Sequence, residues 1–270
     1  MNNFQKKYYE QSDLWNKNFE EIGAEKMRLK EILDNIPEDI NSILDVGCGN
    51  GFILNNLKKI NKYKKLVGLD ISLEALKFVQ TEKRQGSIEN IPFEDKSFDL
   101  VVCLEVLEHL PEKIFQKGIL ELQRVSKKYI LITVPNSESL ERSLVVCPNC
   151  FCWFNPSFHM RSFDKNKLNN LFNQSKPILI KEIGPMLNSK KYNKFILNLY
   201  ATFLKPHPPK TAICPQCGFQ QNKKTKKNKL GKFFLLNVYN ILKAMFKTFI
   251  PIEKKQRWLF GLYINTKQNK

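Results

Sequence analysis

The chain has 270 residues, 42% of them hydrophobic, and a formal net charge of +18 at pH 7. That length suits one large α/β domain with insertions around a sizeable core. Residues 1–10 are polar and charged with no apolar signal segment, so a cytoplasmic chain is expected, and its seven cysteines then point to free thiols or metal rather than a disulfide framework.

Residues 1–36 read as helices. Trp15, Phe19 and Ile22 share one apolar face, as do Leu29, Ile32, Leu33 and Ile36, and Pro37 closes the region. Ile43, Leu44 and Val46 form a short apolar run that reads as a buried strand. It ends in three alternate glycines, Gly47, Gly49 and Gly51, and the periodic segment after them, 52–60, reads as a helix. A strand that turns into a helix through glycines lets a ligand lie directly on the backbone. A second apolar run, 66–70, ends in Asp70, whose carboxylate can bind both hydroxyls of a ribose. The alternatives are an ordinary glycine turn with a surface acid, and a nicotinamide site, which prefers G-x-G-x-x-G. Here the spacing is G-x-G-x-G, with Asp45 two residues before the first glycine.

This pattern resembles the class I S-adenosylmethionine-dependent methyltransferases, and the resemblance covers about residues 40–136 in order. Residues 86–93 look like that family's third-strand segment, which binds adenine. Residues 97–110, ending Glu105-Val-Leu-Glu108-His109-Leu110, look like the fourth strand and following loop of the quinone-biosynthesis subgroup, and 129–136 fits the fifth strand. The resemblance implies a cofactor-binding set of Asp45, Gly47, Gly49, Gly51, Asp70, Ile71, Ser87, Ile88 and Leu104. It also implies that the N-terminal segment covers the cofactor pocket. One departure is Ser87, where the subgroup often has Asp. Serine hydrogen-bonds without charge, so the adenine contact is weaker or falls to the Ile88 backbone.

Five strands alternate with helical stretches over 42–135, which argues a parallel sheet. Asp164 reads as the N-cap of a helix through Leu168, Leu171 and Phe172. Residues 177–183 read as a sixth strand and 258–264 as the last, which in the family runs antiparallel and closes the sheet. About seventy residues, 186–256, are then inserted. Residues 192–204 follow helical spacing, 222–229 form a lysine-rich linker, and 233–250 are apolar apart from a narrow stripe of Asn237, Asn240, Lys243 and Lys247. Residues 221–270 hold thirteen Lys or Arg against one acid. Such a segment suits nucleic acid, an anionic membrane surface or a phosphorylated substrate; compositional drift toward Lys and Asn accounts for it equally simply.

Cys147-Pro-Asn-Cys150 and Cys214-Pro-Gln-Cys217-Gly218 are two matching knuckles. Four thiolates at this spacing suit a closed, tetrahedral structural zinc, with a redox dithiol pair or unrelated cysteines as the alternatives. The knuckles follow strands five and six, so the zinc is expected to staple two loops at the carboxyl edge of the sheet. Cys152 and His159 lie close enough in sequence to substitute as ligands, although Cys152 reads as packing among Phe151, Trp153 and Phe154. Cys48 belongs to the glycine loop and Cys103 to the core.

Methyl transfer draws much of its rate from orientation, so no obligatory catalytic residue is required. His109 and His159 are the candidates for a direct role, because both loops border the expected pocket and histidine accepts a proton near neutral pH. Arg161 reads as solvent-exposed, with binding of an anionic substrate as the alternative, and His207, between prolines, as without function.

The expected architecture is α/β, a Rossmann-like seven-stranded methyltransferase sheet with a zinc-stapled insertion. Its expected divisions are an N-terminal helical cap (1–40), a cofactor-binding core (41–185), an insertion with the second knuckle and a basic amphipathic helix (186–256), and a final strand and tail (257–270). The expected activity is S-adenosylmethionine-dependent methylation of a small molecule or a glycan- or lipid-linked intermediate, at an anionic membrane surface if the basic helix lies on one; burial of that helix against the catalytic domain or a second subunit is the equal alternative. An RNA methyltransferase is the weaker alternative, because the tail's aromatics lie in an apolar helix rather than among the lysines. A non-catalytic zinc and partner-binding module is the third reading.

Overall fold

The structure is a computed structural model that describes residues 3–16, 22–190, 208–221 and 252–266. Three N-terminal helices, α1 (Asn3–Tyr9), α2 (Ser12–Trp15) and α3 (Gly23–Leu33), precede a sheet core. The core alternates β1 (Ser42–Val46), α4 (Phe52–Ile60), β2 (Lys65–Asp70), α5 (Leu73–Leu76), β3 (Glu82–Gln85), β4 (Phe98–Leu104), α6 (Glu112–Val125) and β5 (Ser126–Pro135). A two-stranded ribbon follows, β6 (Val145–Val146) with β7 (Trp153–Phe154), then α7 (Lys165–Asn169), β8 (Ser175–Lys190) and β9 (Ile252–Asn265).

The seven-stranded sheet has the order β3-β2-β1-β4-β5-β9-β8. The strands β1 to β5 pair in parallel, and β9 is antiparallel to both of its neighbours. The order reverses between β1 and β4, which opens a crevice at the carboxyl ends of these strands. Helices cover both faces, so the central strands are continuous apolar runs. Alternate residues of β4 face opposite ways. Val101 and Cys103 pack with Ile119 and Leu122 of α6, whereas Leu100, Val102 and Leu104 pack with Ile32 of α3 and Ile53 and Leu57 of α4.

The structure departs from the sequence reading at several elements. The third strand is Glu82–Gln85, not 86–93. Its four residues are polar and exposed because it is the sheet edge, and no apolar pattern marks it. Residues 86–93 form the turn after it, with an isolated bridge between Ser87 and Asn90. Asp164 caps α7 by accepting from the Lys167 N–H, but the helix ends at Asn169, before Leu171 and Phe172. The β8–β9 pairing continues past 183 to Lys190 opposite Ile252, so both ends of the supposed insertion 186–256 extend the sheet. Gly184-Pro185 hides this continuation in sequence. Gly184 has φ +85° at a register shift between Ile183 and Met186, a bulge that lets the strand resume beyond it. The apolar segments 192–204 and 233–250, the linker 222–229 and His207 lie outside the described residues. Among the described residues no helix is long and apolar enough to cross a membrane.

Candidate functional site

The turn after β1 is shaped by its glycines. Gly47, Gly49 and Gly51 have φ of +77°, +54° and +75°, a region that L side chains rarely adopt. Asp70, at the end of β2, braces this turn. One carboxylate oxygen accepts the Gly49 N–H at 2.8 Å and the other accepts the Ser72 N–H at 2.8 Å. Each oxygen keeps acceptor capacity for a further donor. Burial raises the Asp70 pKa, and the backbone donors oppose that rise.

A cavity of about 450 Å³ lies over this turn, lined by Gly47, Asp70, Ile71, Ser87 and Ile88. These five of the implied cofactor residues are therefore brought together. The other four do not line it. Asp45 is only 2% exposed beneath the turn, and one of its oxygens has no hydrogen-bond partner. Burial and then the nearby Asp70 push its pKa up to about 7. Gly49 lies under the Trp15 ring, and Gly51 packs on Val79 as the left-handed N-cap of α4. Leu104 packs in the core among the residues facing α3, and the next two residues, Glu105 and Val106, line the cavity.

The cavity roof comes from the N-terminal helices. Tyr8, Tyr9, Leu14 and Trp15 line it. The Tyr9 carbonyl accepts from Trp15 Nε1 at 2.6 Å and from Ser72 Oγ at 2.8 Å, and the Glu10 carboxylate accepts the Leu73 and Glu74 N–H groups at the start of α5. Gln5 Nε2 donates to the His109 carbonyl at 2.8 Å. The tyrosines and Trp15 were not legible as site residues, because nothing in their own segment indicates what they cover.

The opposite wall carries His109 and His159, whose rings meet edge to face at 4.6 Å between centroids. His109 Nδ1 donates to the Ser157 carbonyl at 2.9 Å, and His159 Nδ1 lies against a Glu138 oxygen. Burial, then His159, lowers the His109 pKa to about 3. Glu105 adopts φ +55°, and its oxygens accept from Thr133 Oγ1 at 3.1 Å and Trp258 Nε1 at 2.8 Å. Burial raises the pKa of Glu105 and pushes that of Glu108 well up. Arg161 is not solvent-exposed. Its guanidinium lies 3.7 Å from the Phe115 ring centroid and donates to the Leu110 carbonyl at 2.6 Å, because 161 sits in a loop folded back onto α6.

The two cysteine knuckles come together. One sulfur from each of Cys147, Cys150, Cys214 and Cys217 lies within 4.8 Å of the other three. The knuckles are structural copies. Phe151 N–H donates to the Cys147 carbonyl and Gly218 N–H to the Cys214 carbonyl, both at 3.0 Å, with Phe151 at φ +59° and Gly218 at φ +71°. The sulfur pairs Cys147–Cys217 and Cys150–Cys214 are each 3.6 Å apart, close to the roughly 3.8 Å edge of a tetrahedron with Zn–S of about 2.3 Å. Of the aromatic neighbours of Cys152 only Phe154 joins the cluster it packs against. Phe151 and Trp153 are exposed, and the Cys152 sulfur stands 3.4 Å from that of Cys150 and 3.3 Å from that of Cys214, making a fifth thiol at the cluster edge. His159 lines the cavity and is not grouped with the thiols.

The strand order, the glycine turn and the cavity at the switch point are those of the class I S-adenosylmethionine-dependent methyltransferases. Residues 44–130 match the protein family described as Methyltransferase domain, and the chain carries that domain. The chain is 31% identical over 155 residues to an uncharacterized protein of Methanocaldococcus jannaschii, covering 55% of this chain and 65% of that one. It is 29% identical over 113 residues to the ubiquinone biosynthesis O-methyltransferase of Candida albicans, covering 37% and 33%. A tRNA U34 carboxymethyltransferase of Nautilia profundicola is 38% identical over 81 residues, 27% of each chain. The chain thus spans between about a quarter and two thirds of the length of these relatives. Among solved structures, the Haloferax volcanii complex of the Trm112 methyltransferase activator with a putative methyltransferase gives a TM-score of 0.54 at 15% identity, covering 95% of this chain and 98% of that one. A SAM-dependent methyltransferase of Archaeoglobus fulgidus gives 0.51 at 14% identity, covering 94% and 97%. Both similarities are of fold.

Proposed function

We propose that the chain binds S-adenosylmethionine in this cavity and transfers its methyl group to a small molecule or to a glycan- or lipid-linked intermediate. One observation carries the reading: the bare backbone of the glycine turn and the Asp70 carboxylate share a cavity with the Ser87–Ile88 turn. The site fits the donor. A Cβ added at Gly47 would sit 2.4 Å from the Val106 side chain, so that wall is held open by the missing side chain. Gly47 would lie against the methionine part, Asp70 would accept from the ribose hydroxyls, and Ser87 and the Ile88 backbone would meet the adenine. Asp45 lies buried beneath the turn, and Asp70 holds the Gly49 N–H. Bound there, the donor supplies an electrophilic methyl on a sulfonium. The chain's own part is to order the roof over it, exclude water and present the acceptor from the His109–His159 wall.

The same reading places a structural zinc in Cys147, Cys150, Cys214 and Cys217, with all four positions filled by protein and none open to chemistry. It keeps the division into cap, core, insertion and final strand, with the β8–β9 arms reaching into the third. It also keeps a cytoplasmic chain that is peripheral at an anionic membrane surface through the basic segment 221–270. The test is release of S-adenosylhomocysteine with phenolic, glycan and lipid-linked acceptors, run beside transfer RNA. Turnover on RNA alone would replace the small-molecule acceptor, and donor binding without turnover on any acceptor would favour the non-catalytic module.

A further inference from the structure

Five cysteine sulfurs gather where a tetrahedral zinc needs four. The copied knuckles show which one is additional. The Cys147 N–H donates to the Cys152 carbonyl and the Cys214 N–H donates to the Phe219 carbonyl, each at 2.9 Å. Cys152 and Phe219 therefore hold the same position in the two loops. The loop uses the backbone carbonyl of that position, and phenylalanine supplies it as well as cysteine does. The Cys152 thiol is thus an addition to the first knuckle that its fold does not require.

The added thiol lies against the tetrad. Its sulfur is 3.4 Å from that of Cys150 and 3.3 Å from that of Cys214, nearer to each than those two are to one another at 3.6 Å. With Cys147, Cys150, Cys214 and Cys217 engaged as ligands, Cys152 is left as a thiol in contact with two thiolates. Cys150, Cys152 and Cys217 are half-buried rather than sealed, so a small oxidant can reach this edge of the cluster. The thiolate is the sulfur form that such oxidants attack. Its sulfenic acid condenses with a neighbouring thiol to a disulfide, which stops the climb to the irreversible sulfinic acid.

We propose that Cys152 is the resolving thiol of an oxidation site on the cysteine cluster, with a hydroperoxide as the reactant; this rests on the zinc reading of the tetrad. With hydrogen peroxide, the Cys150 or Cys214 sulfur attacks one peroxide oxygen, the O–O bond breaks and hydroxide leaves to take a proton from solvent. The Cys152 sulfur then attacks the sulfenic sulfur. An S–S bond forms, the S–O bond breaks, and the departing hydroxide leaves as water with the Cys152 proton. Two cysteines lose two electrons, and the peroxide is reduced to two waters. The disulfide takes one sulfur out of the tetrad and leaves three ligands. Thr211 and Gln220, which flank the second knuckle, hold Gln11 of the cavity roof, and Gly218 lies against Phe4. Oxidation at the cluster therefore loosens the roof and lowers donor affinity, a consequence that rests on the methyl-transfer reading.

The test uses the full chain loaded with zinc, its uptake measured first by metal analysis. Hydrogen peroxide is added, zinc release is followed with a chromogenic chelator, and disulfides are mapped by peptide mass spectrometry. S-adenosylmethionine affinity is measured by calorimetry before and after. Zinc release should accompany a disulfide that joins Cys152 to Cys150 or Cys214, and a thiol reductant with added zinc should restore the starting state. Donor affinity should fall at least about fivefold on oxidation, the usual lower range of coupling between two sites. Cys152→Ser at the same peroxide dose should accumulate sulfinic acid on the tetrad and recover less zinc binding. Zinc release with Cys152 still a free thiol overturns the proposal, as does zinc retained under peroxide or a Cys152→Ser variant that recovers as fully as the wild type. Failure to take up zinc at the outset would overturn the zinc reading and this proposal together. A chain that forms the Cys152 disulfide but never binds the donor would leave the oxidation site standing and remove the methyl-transfer reading instead.

Discussion

Gln11 donates from its side-chain amide to the Thr211 carbonyl at 3.0 Å, and its amide oxygen accepts from Gln220 Nε2 at 2.6 Å. The residue that joins the two roof helices is thereby tied to both sides of the second cysteine knuckle. Gly218 of that knuckle also lies against the Phe4 ring of α1. The cysteine cluster is therefore tied to the cavity through its roof rather than by lining it.

Gln11→Ala should weaken S-adenosylmethionine binding without unfolding the sheet. Two hydrogen bonds at about 1 kcal/mol each correspond to roughly a 3–30-fold loss of affinity if the roof must order over the donor. Calorimetry alongside far-ultraviolet circular dichroism separates the two effects, and wild-type affinity would show that the roof closes without this tie.

Purified protein should carry one zinc at the four-cysteine site, lost in both Cys147→Ser and Cys214→Ser. Cys152→Ser should keep it, because the Cys152 sulfur adjoins only part of the tetrad. Metal analysis checks all three. Zinc loss should expose the roof and the 208–221 segment to proteolysis before the sheet, because structural zinc contributes on the order of 10 kcal/mol to its local fold.

Asp45 should make stability fall with rising pH. Its folded-state pKa is raised from the usual 3.8 to about 7, so within that window the folded state holds a proton that the unfolded state has released. Its contribution is present below about pH 4 and is lost as pH rises through 7. A shift of this size corresponds to on the order of 4 kcal/mol. Asp45→Asn removes the titration, so the melting temperature of the variant relative to wild type should climb between pH 4 and 7.5 and then level off. A constant difference across that range would mean that Asp45 does not titrate there.

What was legible in the sequence follows from burial. The strands β1, β2, β4 and β5 are covered on both faces and show as apolar runs, and the glycine turn and Asp70 show because their chemistry needs particular residues at fixed spacing. β3 did not show, because an exposed edge strand of Glu, Lys, Arg and Gln has no pattern to read. The meeting of His109 with His159 is set by the fold that packs the loop after β7 against the turn after β4, across a separation that no local spacing encodes. Trp15 over Gly49 and Gln11 against Thr211 are of the same kind.

Gly47→Ala should abolish donor binding. It forces a side chain into φ +77° and sets a methyl 2.4 Å from Val106, a strain of about 1–3 kcal/mol. Calorimetry should show no saturable heat, and differential scanning should show a lowered melting temperature. Retained affinity would mean that the turn does not approach the donor.

In the proposed function this cavity holds S-adenosylmethionine with Asp70 on the ribose. Calorimetric titration of wild type and Asp70→Ala tests it most directly. One saturable site is expected in the wild type, competed by S-adenosylhomocysteine, with at least a tenfold loss in Asp70→Ala, since a hydrogen bond to a charged group is worth about 1.5–3 kcal/mol. No binding to the wild type, or undiminished affinity in Asp70→Ala, would contradict it.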